Sequence, residues 1–277
     1  MTMTGEKDGA VAFFDVDGTL VWHDEEKVAS GEYDFSAATP TPAVYEAFRR
    51  LRAAGHRAFI CTGRPVPFIY DSLRALAPDG YIAAAGAYVQ VGDTVVRDAN
   101  IPDDLLLETV RRFVDAGIDL MLESNTQSVE VHPSGAPAEF ASSGLVRSAD
   151  ELGGFLRDHR FAKFCVSGCP LEALAPVLPF CERHFTIADL QFGTHEFSLR
   201  GVDKGSAIEA ALAYLGLPQE SAFAFGDSEN DLPMVPAVGT FVAMGNALPV
   251  VRERADYVTD PVEKDGVPSA LRHFGLI

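Results

Sequence analysis

Apolar residues in this chain follow two rhythms. Short continuous runs occur at VAFF (11–14), RAFIC (57–61), YIAAA (81–85), AFAF (222–225) and GTFVAM (239–244). Short runs that are apolar at nearly every position are what strands covered on both faces of a parallel sheet require. ADYVTD (255–260) closes the series. Between the runs the spacing becomes helical. In TPTPAVYEAFRRLRAAG, Thr41 is placed to cap a helix, Pro42 to begin it and Gly55 to stop it, with Val44, Ala47, Phe48 and Leu51 as the inward stripe. VPFIYDSLRALA (66–77), KGSAIEAALAYLGL (204–217) and EKDGVPSALRHF (263–274) predict further helices. Strand alternating with helix predicts an α/β fold with a doubly wound parallel sheet, which binds ligands beyond the carboxyl ends of its strands.

The middle of the chain breaks this rhythm. From about Tyr88 to Gln191, helical spacing at 102–116 and 170–183 is interleaved with strand-like IDLMLES, SVEVHP and FAKFCVSG. The expected organisation is a core from residues 1–88 and 192–277, with an α+β domain at 89–191 inserted into it. A polar connection at 23–40 lies after the first strand.

Charge narrows the partners. Lys and Arg number 22 against 40 Asp and Glu, a formal net charge of −18 in 277 residues. That argues against nucleic acid or an anionic membrane, both of which demand clustered cations. The opening residues show no basic-then-apolar leader, and no apolar run approaches a membrane span, so a cytoplasmic location is expected. Cys61, Cys165, Cys169 and Cys181 lack zinc-finger spacing and read as small apolar residues. Oligomeric state is not legible.

Four polar motifs fall where chemistry is expected. Asp15-Val16-Asp17-Gly18-Thr19 follows the first strand, and Thr62-Gly63-Arg64-Pro65 the second. Lys204 begins a helix, and Gly226-Asp227-Ser228-Glu229-Asn230-Asp231 follows AFAF. Asp15, Asp17, Asp227 and Asp231 would bring four carboxylates towards one pocket, where unrelieved repulsion would raise their pKa values and weaken the fold. A hard divalent cation relieves it, and Mg²⁺ suits few carboxylates plus a phosphate substrate. Lys204 can hold both a carboxylate and a phosphoryl group. Thr62 supplies a hydroxyl, the backbone N–H groups around Gly18 can grip phosphate oxygens, and an aspartate can serve as nucleophile. Gly18 would permit close approach or a positive φ.

FFDVDGTL, CTGRP, VDKGSAI and FGDSENDLPMV together resemble the four motifs of the haloacid dehalogenase superfamily, in order. FVAMGNALPVVRERADYVT, then EKDGV, is similar to the Cof-type branch with a class IIB cap. The resemblance implies a phosphatase that hydrolyses phosphate monoesters of small metabolites, sugar phosphates or phosphorylated cofactors, through an aspartyl-phosphate. It implies Asp15 as nucleophile, Asp17 as general acid and base, and Thr62, Gly63, Lys204, Gly18 and Asn230 around the phosphoryl group. Mg²⁺ would be held by Asp15, the Asp17 carbonyl and Asp227, with Asp231 in support. Departures concern Ala85, where relatives often carry Asn, and the long 23–40 connection, which brings Trp22 and His23 into consideration. His23 reads first as an ordinary exposed histidine, and Arg64 equally as a phosphate ligand or an ion-pair partner. Glu123, Ser124, Asn125 and His132 are candidate leaving-group contacts in the cap. A phosphomutase on the same core is the alternative reading, and a non-catalytic binding protein a further one.

Overall fold

In the computed structural model, residues 9–24, 26–27, 37–138, 143–190 and 193–277 are described, so much of the 23–40 connection and the expected insert boundary at 191–192 lie outside the described residues. Two sheets organise the chain. The first contains β1 (Val11–Phe14), β2 (Arg57–Cys61), β3 (Gly80–Ala83), β4 (Tyr88–Val91), β5 (Thr94–Asp98), β12 (Ala222–Gly226), β13 (Thr240–Ala243) and β14 (Tyr257–Val258). Its order is β14-β13-β12-β1-β2-β3-β4-β5. Pairing is parallel from β14 to β3 and antiparallel for β3–β4–β5.

Strand β1 is central, with later strands of the chain on one side and β2 and β3 on the other, so the order reverses beside it. In open α/β sheets such a switch point leaves a crevice above the strand ends. Every residue of β1 is buried, and Phe14 packs its ring 4.7 Å from that of Phe225 on β12. Asp15 therefore emerges from a fully buried strand, and its N–H donates to the Phe225 carbonyl at 3.0 Å.

The helix Pro42–Ala53 forms as its spacing predicts, with the Thr41 hydroxyl accepting from the Val44 N–H and Val44, Ala47, Phe48 and Leu51 buried. The helix expected at 66–77 is reduced to a 3-10 turn at Val66–Phe68 and one turn at Asp71–Arg74. The break falls at Ile69 and Tyr70, whose ψ of 88° and 168° leave the helical region, and not at Pro67, which a first helical turn accepts. The helix expected at 170–183 likewise divides into Leu171–Leu174 and Leu178–His184, with Pro179 at the start of the second piece.

The second sheet contains β6 (Leu120–Glu123), β7 (Val129–Val131), β8 (Gly144–Val146), β9 (Lys163–Val166), β10 (Phe185–Asp189) and β11 (His195–Leu199), in the order β10-β11-β9-β6-β7-β8. Leu122, Val129, Val131, Phe164 and Phe197 point to one face, under the helix Asp103–Asp115, and form a core of their own. Phe164 and Phe197, opposite each other across β9 and β11, stack 4.5 Å apart. Sheet membership moves the expected boundaries. Residues 88–98 belong to the first sheet as an antiparallel hairpin, and β11 belongs to the second. The two layers are thus joined by 99–102 and by 200–203, four residues each. Among the described residues no helix is long and apolar enough to cross a membrane. All four cysteines are free thiols; Cys61, Cys165 and Cys181 are buried.

Candidate active site

Parallel register sets the site. Phe14 is level with Phe225 on β12 and Ile60 on β2, so the residues after these strands, Asp15, Asp227 and Thr62, project from three adjacent carboxyl ends. The chain then turns tightly. The Val16 carbonyl accepts from the N–H groups of Thr19, Leu20 and Val21, and the Gly18 N–H donates to the Val21 carbonyl. Gly18 has φ +83°, and a Cβ there would lie 2.3 Å from Asp227 Oδ2, so both expected reasons for glycine apply.

Lys204 opens the helix Lys204–Leu215, whose cap is a reciprocal Asp203–Ser206 box. Its ammonium is 1% exposed and lies 2.6 Å from both Asp15 Oδ1 and Asp231 Oδ1, with Asn230 Oδ1 at 3.1 Å. The other oxygen of Asp231, Oδ2, accepts from the N–H groups of Asp227 and Ser228. Asp231 thus ties the 227–231 turn to Lys204. A Cβ on Gly226 would lie 2.5 Å from the Asp231 carboxyl carbon, which requires glycine there.

Asp15, Asp227 and Asp231 each place one carboxylate oxygen within 4.8 Å of the others. Burial, then the charges of Asp231 and Asp17, push Asp15 up to about 7 despite the opposing pull of Lys204. Burial, followed by Asp15 and Asp231, likewise raises Asp227 well above the ordinary carboxylate range. Lys204 is raised in turn: burial disfavours its charge, but Asp15 and Asp231 outweigh that. One positive charge among three carboxylates leaves the cluster short of cation. Lys204 engages Oδ1 of Asp15 and the Thr19 hydroxyl donates to Oδ1 of Asp227 at 3.2 Å, so each retains a second oxygen for a hard cation. Asp231 has both oxygens engaged and is suited to support.

Asp17 faces elsewhere. Arg64 donates to it through two nitrogens, Nε to Oδ2 at 2.9 Å and Nη2 to Oδ1 at 2.5 Å, and His23 Nε2 lies 2.7 Å from Oδ1. Burial alone would raise this carboxyl, but Arg64 and His23 outweigh it and hold it far below the usual range. Of the two readings of Arg64, the ion pair is the one formed here, and His23 is 15% exposed and engaged with Asp17, unlike an ordinary surface histidine.

Thr62 is fully buried, its Oγ accepting from the Arg64 N–H at 3.1 Å. A Cβ on Gly63 would lie 3.3 Å from Glu196 Oε2 and 3.8 Å from Asn230 Nδ2, so Gly63 sits beneath a carboxylate of the second sheet. Ala84 and Ala85 follow β3 with φ of +49° and +54°, the left-handed region that Asn and Gly tolerate better than Ala. The cap candidates separate. Asn125 reaches the first layer, its Oδ1 3.4 Å from the Val66 N–H, whereas His132 pairs with Glu130 within the second sheet. Thr19 and Asn246, whose Nδ2 donates to the Gly18 carbonyl at 2.8 Å, lie inside the quoted motifs but were given no role, and Glu196 and Lys163 lie outside every motif.

The sequence pattern of one family, described as haloacid dehalogenase-like hydrolase, matches residues 12–271. The putative phosphatase YkrA of Bacillus subtilis is 27% identical over 284 aligned positions, covering 98% of this chain and 99% of that protein. The pyridoxal phosphate phosphatase YbhA of Escherichia coli is 26% identical, covering 87% and 96%. Among solved structures, BT4131, described as a HAD subclass IIB sugar phosphatase, superposes with a TM-score of 0.79 at 26% identity, covering 97% of this chain and 100% of that one.

Proposed function

This chain belongs to the haloacid dehalogenase-like hydrolases, and from that premise we propose that it is a Mg²⁺-dependent phosphatase acting through an aspartyl-phosphate on Asp15. Its class is a hydrolase of phosphomonoester bonds in small phosphorylated metabolites. The observation that carries the mechanism is the Lys204 ammonium, held 2.6 Å from Asp15 and from Asp231 with Asp227 alongside.

Asp15 Oδ2 and Asp227 Oδ2, with the Asp17 carbonyl, would hold the cation. When bound it supplies positive charge to the transferring phosphoryl group and keeps both carboxylates ionised. Lys204 fixes the Asp15 rotamer through Oδ1 and offers its remaining charge to a phosphoryl oxygen. The Thr62 hydroxyl and the N–H groups of Val16 and Asp17 are offered to the others, those of Gly18 and Thr19 being spent on the Val21 and Val16 carbonyls. Positioning and charge neutralisation of this kind carry most of phosphoryl transfer. Asp17 is the proton carrier. An incoming phosphate dianion competes with it for the Arg64 guanidinium, and release from that pair lets its carboxyl rise into a range where it can protonate the leaving oxygen. Returned to Arg64 and His23 it is ionised, the form that takes a proton from water in the second step. The layer carrying β6–β11 acts as a cap over this site and limits its water.

Phosphate release from p-nitrophenyl phosphate tests the reading. Wild type should turn over only with Mg²⁺ or a similar hard cation, and Asp15→Asn should lose more than about 10³-fold, as removal of a nucleophile does. Turnover that survives in Asp15→Asn would refute it.

A further inference from the structure

The polar connection that follows the first motif begins against Asp17. The Gly18 N–H donates to the Val21 carbonyl, and Asp17 and Val21 form a parallel bridge, so the chain leaves the turn alongside the residue it has just passed. Burial then alternates: Val21 is 2% exposed, Trp22 48%, and the His23 side chain 15%. Val21 and His23 therefore face inwards together, and His23 Nε2 arrives 2.7 Å from Asp17 Oδ1.

The bonds to Asp17 are distributed unequally. Oδ1 accepts from Arg64 Nη2 and from His23 Nε2, whereas Oδ2 accepts from Arg64 Nε. The two partners also belong to different segments. Arg64 lies in the turn that carries Thr62, its own N–H on the Thr62 hydroxyl oxygen, so it is the partner that a phosphate dianion draws away. His23 belongs to the segment beyond Val21 and stays. Once Arg64 is engaged elsewhere, the His23 bond remains, and it holds Oδ1. An oxygen that already accepts an N–H is the poorer seat for a proton, so the proton of the acid form sits on Oδ2. The Asp17 side chain is 37% exposed, and without a hold it would sample several rotamers. Misplacement by about 1 Å costs a reaction about 10²-fold.

We propose that His23 is a positioning residue for protonation of the leaving group: it anchors Asp17 by Oδ1 and so presents Oδ2 to the departing oxygen. The inference rests on the phosphatase reading above and deepens it. In the first step the ester P–O bond breaks with its electron pair going to the leaving oxygen, and a bond forms from an Asp15 oxygen to phosphorus. The Oδ2 proton of Asp17 passes to the leaving oxygen. In this role His23 gives up no proton and binds no phosphate. Its contribution therefore follows the leaving group: 2,4-dinitrophenolate departs without a proton, p-nitrophenolate gains a little from one, and an alkoxide needs it.

The test measures kcat/KM on the full chain with Mg²⁺ for 2,4-dinitrophenyl phosphate, p-nitrophenyl phosphate and glycerol 2-phosphate. His23→Ala should lose about 2–3-fold on the dinitrophenyl ester and at least about 30-fold on the glycerol ester, a share of the 10²–10⁴ that a positioned acid contributes. The ratio between esters is read within one variant, so a smaller folded fraction cancels from it. His23→Phe, which keeps a ring and no N–H, should behave as His23→Ala. His23→Gln, which keeps an N–H donor at similar reach, should recover most of the loss on the glycerol ester. Inorganic phosphate, as a competitive inhibitor, should bind every variant within about twofold of wild type, since Arg64, Thr62 and Lys204 are untouched. Equal loss on all three esters overturns the proposal, as does a His23→Phe protein that discriminates like wild type or a His23→Gln protein no better than His23→Ala. Phosphate inhibition that weakens as far as kcat/KM falls would make His23 a phosphate ligand and overturns it too. Failure of the phosphatase reading looks different: hydrolysis of p-nitrophenyl phosphate that survives Asp15→Asn.

Discussion

Remove the divalent cation and the carboxylate cluster becomes a burden whose size follows from the geometry. Asp15 is pushed from 3.8 up to about 7, chiefly by burial and then by Asp231 and Asp17, and Asp227 moves the same way. Between those pH values an unfolded chain has released the Asp15 proton while the folded chain retains it. Stability therefore falls as pH rises, at about 1.4 kcal/mol per unit, or about 4 kcal/mol across the window. At about 2 °C per kcal/mol for a chain of this size, that is a loss of about 8 °C in Tm between pH 4 and 7.5. Asp17, shifted downwards, acts below this window. A difference measurement isolates the cluster. In chelator, Asp227→Asn should melt several degrees above wild type at pH 7.5 and level with it at pH 4.5, where the wild-type carboxyl is itself protonated. Saturating Mg²⁺ should raise the wild-type Tm at pH 7.5 and leave that of Asp227→Asn nearly unmoved. Differential scanning fluorimetry at both pH values reads all four conditions. An Asp227→Asn protein no more stable than wild type at pH 7.5, or a wild type indifferent to Mg²⁺, would refute the reasoning.

Other perturbations act on single contacts. Arg64→Ala should lower kcat/KM on p-nitrophenyl phosphate by about 10–100-fold, and Arg64→Lys should restore little of it, because a point charge cannot replace the two-nitrogen fork on Asp17. Gly18→Ala should cost about 2 kcal/mol or more, read by urea denaturation, since it combines a positive φ with a Cβ 2.3 Å from Asp227. Lys204→Met should abolish turnover and leave Asp15 and Asp231 facing each other without their shared cation, so its Tm should fall most at neutral pH, the loss shrinking at pH 4.5.

The chemistry was legible because it sits at strand ends. Asp15, Thr62 and Asp227 each follow an unbroken apolar run, and a parallel sheet must bring such positions together at one edge. Lys204 was legible as a helix start. Asp17 was marked by its motif, but its partnership with Arg64 and His23 was not legible, since nothing in linear order says which way a turn side chain leans. The second layer was harder for a physical reason. Alternation in Lys163-Phe164-Cys165-Val166 ordinarily means one face to the core and one to water, and here both are covered. The hairpin at 88–98 was read largely with the insert because the strand–helix rhythm breaks there; its partly exposed strands are unlike the buried runs in the centre of the same sheet. Its antiparallel edge position explains that difference.

The two connections between the layers, 99–102 and 200–203, have mechanical consequences. Four residues reach at most about 14 Å when fully drawn out, so neither tether lets the layers drift apart. Held at two points, one layer can only swing about the line joining them. Lys204 begins where the second tether ends, close to that axis, and therefore travels least as the outer layer turns. The entrance can widen for substrate while the lysine keeps its grip on Asp15. Spin labels paired across the layers should accordingly give broad distance distributions far from the tethers and narrow ones beside Lys204; equal breadth at both would mean that the axis lies elsewhere.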